Sequence, residues 1–235
     1  MLMIDEIVCV TDVETANDTK DALTYDVSCR FINPAKEIVI DERAYVVRDV
    51  FVDEHDLMKQ AYYASKMPEY SADIRAGKRQ MIDFMDMRQD FLELMKKYDC
   101  HIVAAYNAAF DTNALNTTLR YLTKSKYRWF FPYGTQFVCI WNMACNTICQ
   151  TSNYKSFAEL NRYYSNHGKN YRATAETVYA YLTQNPNFNE EHKGMEDVRI
   201  ECEIMKECLD MNDEMMSINR GCWNKVKRGA LCLAQ

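Results

Sequence analysis

At 235 residues, with six glycines, four prolines and no Pro/Gly/Ser-rich or low-complexity stretch, the chain has room for a well-buried core and shows no obvious linker. One domain over residues 1–235 is expected. No apolar run approaches membrane-spanning length, and Met1-Leu-Met-Ile-Asp5-Glu6 is acidic where a secretory leader is basic, which predicts a cytoplasmic protein with no membrane partner. The formal net charge of −6 argues against a protein that coats nucleic acid by bulk charge. The ten cysteines are irregularly spaced and contain no Cys-x-x-Cys, so free thiols are expected rather than disulfides or a zinc site. Cys145 and Cys149, a close pair at helical spacing, read as packing residues.

In chain order, Ile7–Val13 is a β-branched run suited to a central strand buried on both faces. Strands follow around Tyr25–Ile32 and Ala44–Val52, and a three-stranded meander is the simplest arrangement. From Met81 to Lys97 the apolar residues recur at three- and four-residue intervals, the mark of an amphipathic helix. Ile102–Ala105 reads as a buried strand, Leu115, Leu119 and Leu122 as the stripe of the next helix, and Gln136–Trp141 as another strand. The chain from Phe157 to about Met211 looks mainly helical. Leading strands followed by alternating helix and strand predict an α/β sheet of about five strands with helices on both faces.

Charge is unevenly placed. Acids number 34 in the chain, yet there are none between Thr112 and Ala158, where simple proportion allows about seven. That segment carries Arg120, Lys124, Lys126, Arg128 and Lys155 among Tyr121, Tyr127, Trp129, Phe130, Phe131, Tyr133, Phe137 and Trp141. Cations and rings interleaved in this way suit a channel for single-stranded nucleic acid, with Lys124, Lys126 and Arg128 as the candidate phosphate contacts. A solvated basic face over buried aromatics is the alternative. A second acid-free tract, from Met215 to the C-terminus, reads as a flexible basic tail or a second contact.

Three clusters carry chemistry. Asp12 and Glu14 stand two apart at the end of the first strand, so their carboxylates project from one face about 7 Å apart and need a cation or a proton between them. Asn107-Ala-Ala-Phe110-Asp111 follows the strand Ile102–Ala105 and opens a helix, at the carboxyl end of a strand where α/β sheets bind ligands. His192 and Asp197 are five apart and cannot share a helical face. The workable arrangement puts His192 on the loop before a helix and Asp197 in its first turns. A mobile imidazole beside a fixed carboxylate suits a general base.

Together and in this order, Asp12-Val-Glu14-Thr15, Asn107-Ala-Ala-Phe110-Asp111, and His192 with Asp197 resemble the signature of the DEDDh exonucleases, the DnaQ-like branch of the ribonuclease H-like fold. The resemblance covers about residues 5–210 and leaves a basic tail at about 215–235. It implies a ribonuclease H-like mixed sheet with the first strand central, and a 3′→5′ exonuclease releasing nucleoside 5′-monophosphates from single-stranded DNA or RNA ends. By the same resemblance Asp12, Glu14, Asp111 and Asp197 hold two Mg2+ or Mn2+ ions, and His192 activates the attacking water. Thr15 lies beside the terminal nucleotide, and Asn107 and Phe110 shape its pocket. Hard, oxygen-preferring cations match a set of four carboxylates.

Two positions depart from the family. Ile140-Trp141-Asn142 stands where many relatives have Asp-Thr, and Tyr106 where many have His. Neither removes a metal ligand, and both bear on substrate contacts. His55, His101 and His167 read as ordinary surface or strand-end residues. A non-catalytic nucleic-acid- or polymerase-binding subunit of the same fold, or a structure-specific endonuclease, are the alternatives. The partner is a nucleic acid 3′ end, with a polymerase or other replication or repair protein if the chain serves a larger machine.

Overall fold

The computed structural model describes residues 5–228. Six strands form one mixed sheet: β1 (Val8–Ala16), β2 (Leu23–Asn33), β3 (Ile38–Val47), β4 (Gln80–Ile82), β5 (Ile102–Ala105) and β6 (Gln136–Cys139), in the order β4-β3-β2-β1-β5-β6. β1, β2 and β3 make the antiparallel meander expected from the sequence, while β5 and β6 continue parallel to β1. The helices are α1 (Arg48–Phe51), α2 (His55–Gln60), α3 (Met67–Arg75), α4 (Phe84–Lys97), α5 (Ala108–Thr123), α6 (Ile140–Asn146), α7 (Ser152–Leu160), α8 (Ala175–Leu182) and α9 (Gly194–Met211).

Alternation along β1 divides the core. Val8 and Val10 pack with α6, α7, α8 and α9 on one face, and Cys9 and Val13 with α1, α3, α4 and α5 on the other. Asp12 and Glu14 continue the parity of Val8 and Val10, so they emerge from under α9, which packs directly on β1. The carboxyl ends of the parallel strands β1, β5 and β6 share one rim of the sheet.

Several boundaries differ from the sequence reading. The sheet has six strands rather than about five: Met81 lies in the short edge strand β4, because Gln80–Ile82 pairs parallel with Tyr45–Val47. α4 therefore starts only at Phe84, whose backbone N–H donates to Asp49 at 2.6 Å. The third strand is Ile38–Val47, and Arg48–Phe51 turns into helix instead of extending it. β6 stops at Cys139, where α6 begins. Residues 157–211 are helical only in three pieces, separated by turns.

The acid-free stretch after Met215 is no loose tail over its described part. Cys222 and Val226 are fully buried, Met216 accepts from the Cys139 backbone, and Arg228 pairs with Glu159 at 2.6 Å. Residues 1–4 and 229–235, which include the N-terminal segment read above and the end of the basic tail, lie outside the described residues. The nine cysteines of the described part are all buried free thiols, Cys145 and Cys149 among them, and they belong to the core. No helix among the described residues is long and apolar enough to cross a membrane.

Candidate active site

Asp12 and Glu14 come from β1, Asn107, Phe110 and Asp111 from the turn after β5 and the first turns of α5, and His192 and Asp197 from the entry to α9. All seven line one open cleft of about 320 Å3, together with Tyr63, Tyr106, Trp141, Glu190 and Glu201. The placement follows from topology: parallel strands deliver their following loops to one rim, and α9 crosses that rim with its first turn. His192 precedes α9 and Asp197 sits in its opening turn, as the spacing required.

The carboxylates crowd one another. Asp12 Oδ2, Asp197 Oδ1 and Glu201 Oε2 are each sealed from solvent without a hydrogen-bond partner. Burial, then the neighbouring charges of Glu201, Asp111, Asp197 and Glu14, push the Asp12 carboxyl well above the usual carboxylate range. Burial and repulsion by Asp197 and Asp26 push Glu14 up to about 9. Burial pushes Asp111 and Asp197 up to about 7, against the pull of backbone N–H donors. Native proteins leave few buried polar atoms unpaired, and several such oxygens lining one cleft form a donor set that could hold a cation. Glu14, His192 and Asp197 also place ligand atoms within 4.8 Å of one another. An all-oxygen set of this kind with one imidazole at its edge fits a hard divalent ion.

His192 is built differently. It adopts a left-handed backbone (φ 49°), is one-third exposed at its side chain, and has Nδ1 3.9 Å from Glu190. Its ring stacks on Tyr63, centroids 4.5 Å apart and planes at 16°. Burial and the Lys66 ammonium hold the imidazole below its ordinary 6.5, opposed by Glu176, so the neutral, proton-accepting form is favoured.

The loop bearing His192 is anchored behind the site. Asp26, fully buried on β2, accepts from Tyr70 and Arg79 at 2.7 Å and from the Gly194 backbone at 3.1 Å. A Cβ at Gly194 would lie 2.8 Å from Ser28 Oγ, so the first residue of α9 must be glycine for this approach. Arg79 also pairs with Glu196 at 2.6 Å, and Lys193 with Asp73 and Glu69 at 3.4 Å.

Other candidates from the sequence are distributed less simply. Thr15 follows a bulge at Glu14/Thr15 and is not among the cleft-lining residues. Lys124 and Lys126 line a separate depression with Arg120, and Arg128 lines neither. The acid-free segment combines both of its readings: Phe130 and Phe131 are core residues, whereas Tyr127, Trp129 and Tyr133 are exposed. Its cations rest on its rings, Lys124 at 4.2 Å from the Tyr121 centroid and Arg120 at 5.3 Å from that of Trp129. Of the two departures from the family pattern, Tyr106 donates to the Ala173 carbonyl at 2.8 Å and Trp141 walls the cleft. Asn142 instead ties the C-terminal segment through the Ser217 carbonyl at 2.9 Å.

Tyr63, Glu190 and Glu201 went unnoticed in the sequence. Glu201 alone left a trace there, one helical turn beyond Asp197 and hence on its face. Tyr63 and Glu190 lie in irregular segments with no pattern to read.

No family model matches the chain, and no curated protein matches it in sequence. Solved structures do. The cell-death related nuclease CRN-4 superposes with a TM-score of 0.58 at 12% identity, over 88% of this chain and 64% of that one. The nuclease domain of 3′hExo, a DEDDh family member bound to rAMP, gives 0.52 at 11%, over 92% and 98%. Exonuclease I of E. coli with a bound oligonucleotide gives 0.55 at 11%, over 88% and 41%. The chain shares with these structures its α/β fold, a mixed sheet with helices on both faces. The chain spans less than two thirds of CRN-4 and under half of exonuclease I, and most of the 3′hExo nuclease domain.

Proposed function

We propose that this chain is a divalent-cation-dependent 3′→5′ exonuclease acting on single-stranded nucleic acid and releasing nucleoside 5′-monophosphates. The observation that carries the reading is the convergence of Asp12, Glu14, Asp111 and Asp197, from three separate chain segments, on one cleft where buried carboxylate oxygens stand unpaired. A protein that only binds nucleic acid gains nothing from such a cluster, which repels phosphate unless cations are present. The neighbours of like fold include an enzyme with a bound oligonucleotide and a nuclease domain with bound rAMP, which supports the same substrate class.

In this reading the four carboxylates hold two Mg2+ or Mn2+ ions, which when bound supply the charge to offset the phosphate and leaving oxygen and to acidify a water. His192, neutral and at the edge of the cluster, takes the proton of the attacking water. Asn107 and Phe110 seat the terminal nucleotide, with Thr15 beside it, and Lys124, Lys126 and Arg128 supply outer positive charge. The test is release of mononucleotides from a 3′-labelled oligonucleotide with and without Mg2+, beside a closed circular strand. Cation-dependent release from the linear strand alone is expected. Cleavage of the circle would make the chain an endonuclease, and no cleavage of either would leave a binding subunit.

A further inference from the structure

The carboxylate-lined cleft does not end at its own wall. Asn107, Phe110 and Trp141 also border a second depression of about 330 Å3, which carries Asn113 and Arg220. Asn113 in turn borders a third, of about 790 Å3, lined by Thr117, Arg120, Lys124 and Lys126. Asn113, Thr117, Arg120 and Lys124 recur at intervals of four, three and four residues, so they form a single stripe along α5. Shared lining residues thus string the three neighbouring depressions into a groove along α5, from its amino end at the carboxylates to its carboxyl end at Lys124.

Its chemistry changes along that length. At the junction of the first two depressions, Trp141 presents a ring whose Nε1–H is buried and unpartnered. Farther out, Arg220, Arg120, Lys124 and Lys126 join none of the ion pairs found among the described residues, and Asp21 is the only acid lining the outer two depressions. A ring followed by cations that join no ion pair matches the order in which a single strand meets its protein: base first, then spaced phosphates.

We propose that this groove is the track of a single-stranded polynucleotide on the 5′ side of the linkage being cut. The inference rests on the exonuclease reading and deepens it. A base stacks on Trp141 and donates no charge there, Arg220 takes the phosphate midway, and Arg120, Lys124 and Lys126 take those at the far end. From Asn107 to Lys124 the helix rises by about 25 Å. At roughly 3.4 Å per stacked nucleotide, and more when the strand is extended, the track holds about four to seven nucleotides.

The experiment uses the full chain and oligothymidylates of two to twelve nucleotides, measuring kcat and KM with Mg2+ and binding by fluorescence anisotropy with Ca2+ in its place. KM should fall with length to about four to seven nucleotides and then level. Arg220→Ala should raise KM from about the fourth nucleotide on. The triple variant R120A/K124A/K126A should raise it several-fold only for longer strands, and should reduce the salt slope of binding by about two, near 0.7 per cation removed. A wild-type KM indifferent to length overturns the track. So does a triple variant that affects dinucleotides and dodecamers equally, or one that leaves both KM and salt slope as they were. If no oligonucleotide is hydrolysed, the exonuclease reading fails, and the length dependence of anisotropy still decides whether the groove holds a strand.

Discussion

The His192 imidazole lies flat against the Tyr63 ring, 4.5 Å between centroids, and neither of its nitrogens makes a hydrogen bond among the described residues. For a side chain on the loop before α9 this stack is the main restraint on ring orientation. Tyr63→Phe keeps the ring and should behave as wild type. Tyr63→Leu should lower kcat roughly three- to ten-fold, the kinetic equivalent of an aromatic contact of about 0.5–1.5 kcal/mol, with little change in KM. The ring-current shift of the His192 protons should disappear in the leucine variant and survive in the phenylalanine one. A rise in KM alone would mean that Tyr63 touches substrate instead.

His192 itself is expected to act without holding the cations. His192→Ala should lower kcat by roughly two to four orders of magnitude while oligonucleotide binding stays close to wild type. Because burial and Lys66 hold the imidazole below 6.5, the rise of wild-type rate with pH should sit on the acid side of an ordinary histidine, and Lys66→Met should move it to higher pH. A His192→Ala variant with full rate and the same pH limb would assign the base to another group.

The carboxylates make a prediction about stability. Burial, joined by repulsion from neighbouring carboxylates at Glu14, Glu190 and Asp197, holds Glu14 up to about 9, Glu190 to about 8, and Asp111 and Asp197 to about 7, against ordinary values of 3.8 for Asp and 4.5 for Glu. Without divalent cation the folded chain keeps protons that the unfolded chain releases across this span. The contribution of these groups is therefore fully present below about pH 4 and is lost as pH rises toward about 9. In chelator, Tm should fall over that window, and Glu14→Gln should flatten the fall. Asp12→Asn should raise the metal-free Tm while abolishing turnover. Mg2+ should raise the wild-type Tm most at the alkaline end, where binding displaces fewest protons. Equal pH slopes for wild type and Glu14→Gln would place Glu14 in solvent.

Behind the site, Arg79 is the only cation hydrogen-bonded to the buried Asp26 among the described residues, and Asp26 in turn holds the Gly194 N–H. Arg79→Leu leaves a buried carboxylate unpaired and should cost about 3–5 kcal/mol in denaturant unfolding. Asp26→Asn in the same chain should restore part of that loss, since the neutral amide needs no counter-charge. If Arg79→Leu costs under about 1 kcal/mol, the pair does not organise the entry to α9.

Much of this molecule was legible in one dimension. The β-branched run around Val8–Val13 marked a central strand because only a strand buried on both faces tolerates such continuity. Asp12 and Glu14, two apart, had to share a face, and the spacing of His192 and Asp197 forbade a common helical face, which put the histidine on the loop. These are local geometric constraints, and periodicity states them directly. The short strand β4 was not legible, since three residues carry no period and Gln80–Ile82 extend only because β3 offers an edge.

Which side chains meet was settled by the tertiary structure alone. Tyr63 arrives from the connection between β3 and α4, Glu201 from a helical turn past the recognised motif, and Arg220 from a stretch that looked like a loose tail. Each comes within reach of the cleft or its groove because parallel strands deliver their loops to one rim and α9 folds back across it. The cations of the acid-free segment were visible as composition, yet their alignment with the carboxylates depends on α5 running from one to the other. Sequence spacing encodes neighbours along an element; contacts between elements follow from how the sheet orders them.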